Sequence, residues 1–179
     1  MPASLTRHAA NAVTALRIAL TPVFLYAVLR AEGHGSGWPA AALFTAVAVS
    51  DFADGRVARR FGTATAGGRV LDHAADIVFV LASLALYVAL GAAPWWVPAS
   101  IAAAFSAYVV DSLRRGPRRS PIGSRIGHLG GVCNYALIGV LVGNDTVGLE
   151  WLSPWTMRLV FAAVPLYSAA AILARLAAV

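Results

Sequence analysis

Residues 51–76 read DFADGRVARRFGTATAGGRVLDHAAD, and this one stretch holds four of the chain's eight acidic residues, Asp51, Asp54, Asp72 and Asp76. The sequence on either side is of another kind. Of 179 residues, 59% are hydrophobic and 12% charged, with a mean hydropathy of +0.72, whereas roughly 25% of residues in a soluble domain carry charge. The chain is therefore expected to be an all-α, polytopic membrane protein, since apolar runs of spanning length satisfy their backbone in lipid by forming helices.

A spanning helix needs about 20 apolar residues. Six segments meet or approach that length, at 8–30, 38–60, 67–91, 94–115, 120–143 and 155–178. Turn-forming stretches divide them: EGHGSG at 32–37, GTATAGG at 62–68, GAAP at 91–94, RRGPRRSP at 114–121 and GNDTVGLEWLSP at 143–154. No stretch pairs a short apolar core with the small-residue cleavage site of a signal peptide. The expectation is one membrane domain over 1–179, with a short amino-terminal interfacial segment ahead of the first span.

All 14 basic residues are arginine, and the net charge is +6. In a soluble protein that balance points to nucleic acid. Here the arginines flank apolar spans, where they set topology and meet anionic headgroups, and no nucleic-acid partner is expected. Placing both termini, the loop at 62–68 and the loop at 114–121 on one side gathers twelve arginines there and leaves Arg30 and Arg158 opposite. Arginine-rich loops stay cytoplasmic. Both termini and the acidic stretch are thus expected at the cytoplasmic face. Trp38, Trp95, Trp96, Trp151 and Trp155 fall at the other side, as an interfacial belt does. Cys133, the lone cysteine, can form no internal disulfide and reads as a small packing residue.

At about 100° per residue on a helix, Asp51, Asp54, Gly55, Ala58 and Arg59 share an arc of about 140°. On the next helix Gly68, Asp72 and Asp76 fall within about 80°. In an antiparallel hairpin turning near residue 63, Asp54 meets Asp72 and Asp51 meets Asp76 at matching depth. Four carboxylates close together in a membrane repel one another and demand a cation. Hard oxygen ligands suit Mg²⁺ or Mn²⁺, and two such ions shared among the four acids would balance them. The plain alternative is pairing with Arg56, Arg59, Arg60 and Arg69, but Arg56 and Arg60 lie about 140° and 180° from Asp51, away from the acidic face. Gly55, Ala58 and Gly68 leave a notch between the helices, and Arg59 at its rim suits a diphosphate.

These residues carry a resemblance. Asp51-x2-Asp54-Gly55-x2-Ala58-Arg59-x8-Gly68-x3-Asp72-x3-Asp76 matches all eight fixed positions of the CDP-alcohol phosphotransferase (phosphatidyltransferase) signature. From average composition a given starting point matches with probability on the order of 10⁻⁹. The resemblance implies an enzyme of phospholipid synthesis in which an alcohol hydroxyl attacks the lipid-side phosphorus of a CDP-linked lipid and CMP leaves. It implies that Asp51, Asp54, Asp72 and Asp76 hold two divalent ions, that Asp76 is also the general base, that Gly55, Ala58 and Gly68 line a cytidine notch, and that Arg59 contacts the diphosphate. It further implies a homodimer in a prokaryotic cytoplasmic membrane.

The acceptor is read from other residues. Asn11, Thr14 and Arg17 recur every three residues and share one helix face, either as an interfacial polar stripe or as a wall of the headgroup site. With Pro22 they resemble the amino-terminal helix of the phosphatidylglycerophosphate-synthase branch. Arg125, on the motif side of the fifth segment, is expected to bind an acceptor phosphate. Glycerol 3-phosphate is the first acceptor considered, with inositol phosphate, serine and phosphatidylglycerol as alternatives, because Asp72-His73-Ala74-Ala75-Asp76-Ile77 departs from the usual context of either the glycerophosphate or the serine branch. An intramembrane prenyltransferase would want a second acid-rich motif. A non-catalytic homologue would not retain all eight positions.

Overall fold

The first helix, α1 (Ala3–Glu32), turns Thr14, Arg17 and Thr21 inward while several of its large apolar side chains face out. Thr14, Arg17, Thr21, Phe24 and Val28 are buried, in steps of three and four residues, which is the spacing of a helix-packing seam. Leu16, Ile18, Val23, Tyr26 and Leu29 face outward. A helix of a water-soluble protein does the reverse. In a bilayer, hydrocarbon is the solvent and polar side chains turn to the interior.

The computed structural model describes residues 3–33, 35–61, 66–115, 125–148 and 153–176; within these, the side chains of 3–13, 51–61, 66–72, 112–113, 115 and 125–128 lie outside the description. The remaining helices are α2 (Trp38–Phe61), α3 (Ala66–Ala89), α4 (Trp96–Arg115), α5 (Arg125–Val147) and α6 (Pro154–Leu176). No strand occurs among the described residues. The chain is all-α, with six helices where six spans were expected. Among the described residues, Thr14–Glu32 and Pro154–Leu176 are long and apolar enough to cross a membrane unaided. Shorter apolar stretches run over Trp38–Ser50, His73–Ala89 and Trp96–Asp111.

The helices pack as two units. One comprises Met1–Ala82 with Val142–Gly148, the other Ser83–Leu141 with Leu149–Val179. In the first, α1 lies along α2, and Phe24 is the hinge of the core, its ring centroid 5.2 Å from Phe79 and 6.5 Å from Phe44. Ala40, Val47, Ala75 and Val80 complete that interior. Gly37, just before α2, approaches the end of α5 so closely that a Cβ there would sit 2.6 Å from the Asp145 carbonyl oxygen.

In the second unit α4 packs along α6, with Val97, Ile101, Ile138, Phe161 and Val164 inside. Tyr167 of α6 donates its hydroxyl to Asn134 Oδ1 of α5. Its ring covers Gly130, and Gly131 faces open space. Arg175 lies 4.8 Å over the Tyr108 ring, tying the far end of α6 to α4. Leu159, Leu166 and Leu173 recur every seven residues along the outside of α6, again offering hydrocarbon to lipid.

Helix ends follow local chemistry. Beyond α3, Gly91 (φ 76°) sends its N–H to Val88 O while the Ala92 N–H reaches Tyr87 O, the paired bonds of a Schellman turn. Ser153 caps α6 by accepting from the Thr156 N–H at 3.2 Å, with Pro154 at the first helical position. Two boundaries differ from expectation. The amino-terminal segment is continuous with α1. α5 runs past Gly143 to Val147, because the Thr146 hydroxyl bonds back to Val142 O at 2.6 Å and the left-handed Gly148 (φ 61°) closes the last turn on Asn144 O.

Candidate active site

The acidic stretch occupies the second half of α2 and the first half of α3, with only residues 62–65 between the two helices. Asp51, Asp54, Gly55, Ala58 and Arg59 stand on α2, and Gly68, Asp72 and Asp76 on α3. The side chains of 51–72 lie outside the described residues, so the structure fixes their helices and their order along them. Asn11 on α1 and Arg125 at the start of α5 have side chains outside the description as well.

The side chain of Asp76 is among the described residues. Its Oδ1 accepts a charge-assisted hydrogen bond from Arg17 Nη1, across 59 residues of sequence. Arg17 is 2% exposed, and the two side chains differ sharply, 1% for Arg17 and 26% for Asp76. The guanidinium is enclosed while the carboxylate stays partly accessible. The backbone beneath is braced, since Thr21 Oγ1 donates to Arg17 O at 2.8 Å. Thr14, one turn earlier, is buried on the same seam.

The structure therefore joins two residues that spacing alone had put into separate groups, the base candidate Asp76 and the α1 residue Arg17. The sequence offers as partners for these acids only the arginines of the acidic stretch itself. An ion pair between α1 and α3 leaves no mark in the periodicity of either helix. Asn134 stands out in the sequence as an amide inside an apolar helix and carries no role there; its bond with Tyr167 is a tertiary contact that no spacing shows. His73 is exposed beside Asp72, and Asp111 is half-buried near the end of α4.

Among the described residues no three His, Cys, Asp or Glu side chains gather to hold a metal, and three of the four motif carboxylates fall outside that set. The donor chemistry nonetheless fits a hard divalent ion: four Asp carboxylates within 26 residues, on adjacent turns of consecutive helices.

A profile of the CDP-alcohol phosphatidyltransferase family matches residues 7–178. Among curated relatives, the chain is 39% identical over 77 residues to "Cardiolipin synthase (CMP-forming)" of Streptomyces coelicolor, covering 41% of this chain and 35% of the relative. It is 38% identical over 93 residues to the "Probable phosphatidylglycerophosphate synthase" of Mycobacterium tuberculosis, covering 49% and 43%. It is 34% identical over 97 residues to the "CDP-diacylglycerol--glycerol-3-phosphate 3-phosphatidyltransferase" of Bacillus subtilis, covering 48% and 50%. The chain thus matches half or less of the length of each of these relatives.

Proposed function

From the premise that the chain belongs to the CDP-alcohol phosphatidyltransferase family, we propose that it transfers a phosphatidyl group from a CDP-linked lipid to the hydroxyl of glycerol 3-phosphate, releasing CMP. One observation carries this reading beyond the family: the acid proposed as base, Asp76, keeps 26% of its side chain exposed while the Arg17 paired with it keeps 1%. The acceptor follows the relatives of Mycobacterium tuberculosis and Bacillus subtilis, whose names specify glycerophosphate chemistry. A second reading, phosphatidylglycerol as acceptor, draws support from the relative named cardiolipin synthase.

In this account Asp76 takes the proton from the acceptor hydroxyl as its oxygen bonds to the lipid-side phosphorus. The phosphorus–oxygen bond to CMP breaks, and CMP departs with the electron pair. Asp51, Asp54, Asp72 and Asp76 would hold the two Mg²⁺ or Mn²⁺ ions, and such ions, when bound, neutralise charge on the diphosphate. Arg59 holds the diphosphate from the rim, and Gly55, Ala58 and Gly68 leave room for the cytosine ring and ribose. Asn11 of α1 would bind the acceptor, and Arg125 would take its phosphate as a bidentate partner.

The site lies at the cytoplasmic face of a multi-pass protein of a prokaryotic membrane, with both termini on that side. Supporting this are the twelve-to-two partition of arginines and the exposed Trp38, Trp95, Trp96 and Trp155 at the opposite helix ends. The working enzyme is a homodimer. The test is CMP release by the purified chain from CDP-diacylglycerol with Mn²⁺ and, in turn, glycerol 3-phosphate, inositol phosphate, serine and phosphatidylglycerol. Turnover with glycerol 3-phosphate supports the proposal. Turnover with phosphatidylglycerol alone selects the second reading.

A further inference from the structure

The seam of α1 carries a charge where packed helices ordinarily carry hydrocarbon. Arg17 sits between Thr14 and Thr21, two turns before Phe24, and all four are buried. Burying a guanidinium in a membrane protein is costly, so its place needs a reason. Two readings compete. An arginine that binds substrate must present donors to the space the substrate enters. An arginine that serves another side chain can be closed off completely.

The exposures decide between them. Arg17 has 1% of its side chain accessible and Asp76 has 26%, so anything arriving from the open side meets the carboxylate first. We infer that Arg17 is a positioning residue: it holds the Asp76 carboxylate from behind and contacts neither the CDP-linked lipid nor the acceptor. This rests on the proposed role of Asp76 as the base.

A carboxylate rotates freely about its last torsion, whose energy profile is broad. A guanidinium is planar and presents its donors in a rigid fork. A bond from Nη1 to Oδ1 therefore fixes the plane of the Asp76 carboxylate and aims its other oxygen. The clamp is itself anchored. Thr21 Oγ1 holds the Arg17 carbonyl, and Phe24, seven residues on, packs against Phe79, three residues past Asp76, at 5.2 Å. Polar and aromatic contacts in succession set the register of α1 against α3. Misplacing a reacting group by about 1 Å can cost about 100-fold in rate. The helix that carries Arg17 thereby becomes part of the catalytic apparatus without touching substrate.

The experiment uses the full chain in detergent micelles, as wild type, Arg17→Gln, Arg17→Lys, Asp76→Asn and the double variant Arg17→Gln/Asp76→Asn. The thermal midpoints should be non-additive, with the double variant losing less than the two single losses together, since Asp76→Asn strands the buried Arg17 charge and the double variant does not. In CMP release with glycerol 3-phosphate, Arg17→Gln should lower kcat about 10- to 100-fold with both KM values within about threefold, and Arg17→Lys should restore part of kcat. A near-normal kcat with a KM raised about tenfold for either substrate would make Arg17 a substrate ligand and overturn the inference. Additive midpoints would overturn the pair itself. Coupled midpoints in a chain whose wild type releases no CMP would overturn the proposed reaction, and the positioning role with it.

Discussion

Phe24 of α1 packs its ring 5.2 Å from that of Phe79 on α3, two turns beyond Arg17 on one helix and about one turn beyond Asp76 on the other. Both rings are fully enclosed. Hydrocarbon and charge thus act in series to hold α1 against the helix that carries the proposed base.

Truncating Phe24 should separate these contributions. A buried Phe→Ala change costs about 3–5 kcal/mol. Phe24→Ala is expected to lower the thermal midpoint in detergent by many degrees and to lower kcat even at temperatures where the variant is folded, because α1 loses its register. Phe24→Leu should recover most of both. A kcat unaffected by Phe24→Ala would show that the ion pair alone sets the site.

Gly37 makes a sharp contrast with Gly131. A Cβ at Gly37 would meet Asp145 O at 2.6 Å and the Thr146 Cα at 2.7 Å, both backbone atoms, whereas one at Gly131 meets nothing within 4 Å. Overpacking of this kind costs about 1–3 kcal/mol. Gly37→Ala should therefore lower the thermal midpoint, and Gly131→Ala should leave it unchanged or raise it slightly. The same melting experiment on both variants checks the packing of α2 against the end of α5.

Tyr167→Phe removes the hydroxyl that donates to Asn134 and leaves a buried amide oxygen without that partner. Hydrogen bonds between membrane helices average about 0.6 kcal/mol. A small fall in midpoint is expected, with CMP release unchanged, since neither residue belongs to the proposed site. A large loss of turnover would bring the α5–α6 pair into the chemistry.

Much of this was legible in the sequence, and the reason is chemical. Long apolar runs between turn-forming stretches favour helices, so all six were placed to within about five residues. The errors fell where polar residues continue a helix. Asn144, Asp145 and Thr146 read as loop, yet Thr146 satisfies its hydroxyl on Val142 O, and the turn ends only at Gly148. The acids of the motif could be assigned to helix faces because one helix has one periodicity. Which helix stands opposite is a tertiary fact. Arg17 was visible as one of a polar triplet on α1, but its bond to Asp76 depends on how α1 packs, and no spacing within 51–76 contains that information.

The central claim, that these acids hold divalent ions for phosphatidyl transfer, is tested most directly by following CMP release from CDP-diacylglycerol and glycerol 3-phosphate before and after exhaustive chelation, with Asp76→Asn in parallel. The account predicts that chelation abolishes release, that added Mn²⁺ or Mg²⁺ restores it, and that Asp76→Asn binds nucleotide yet stays inactive. Release that persists undiminished after chelation, or equal turnover by Asp76→Asn, would contradict it.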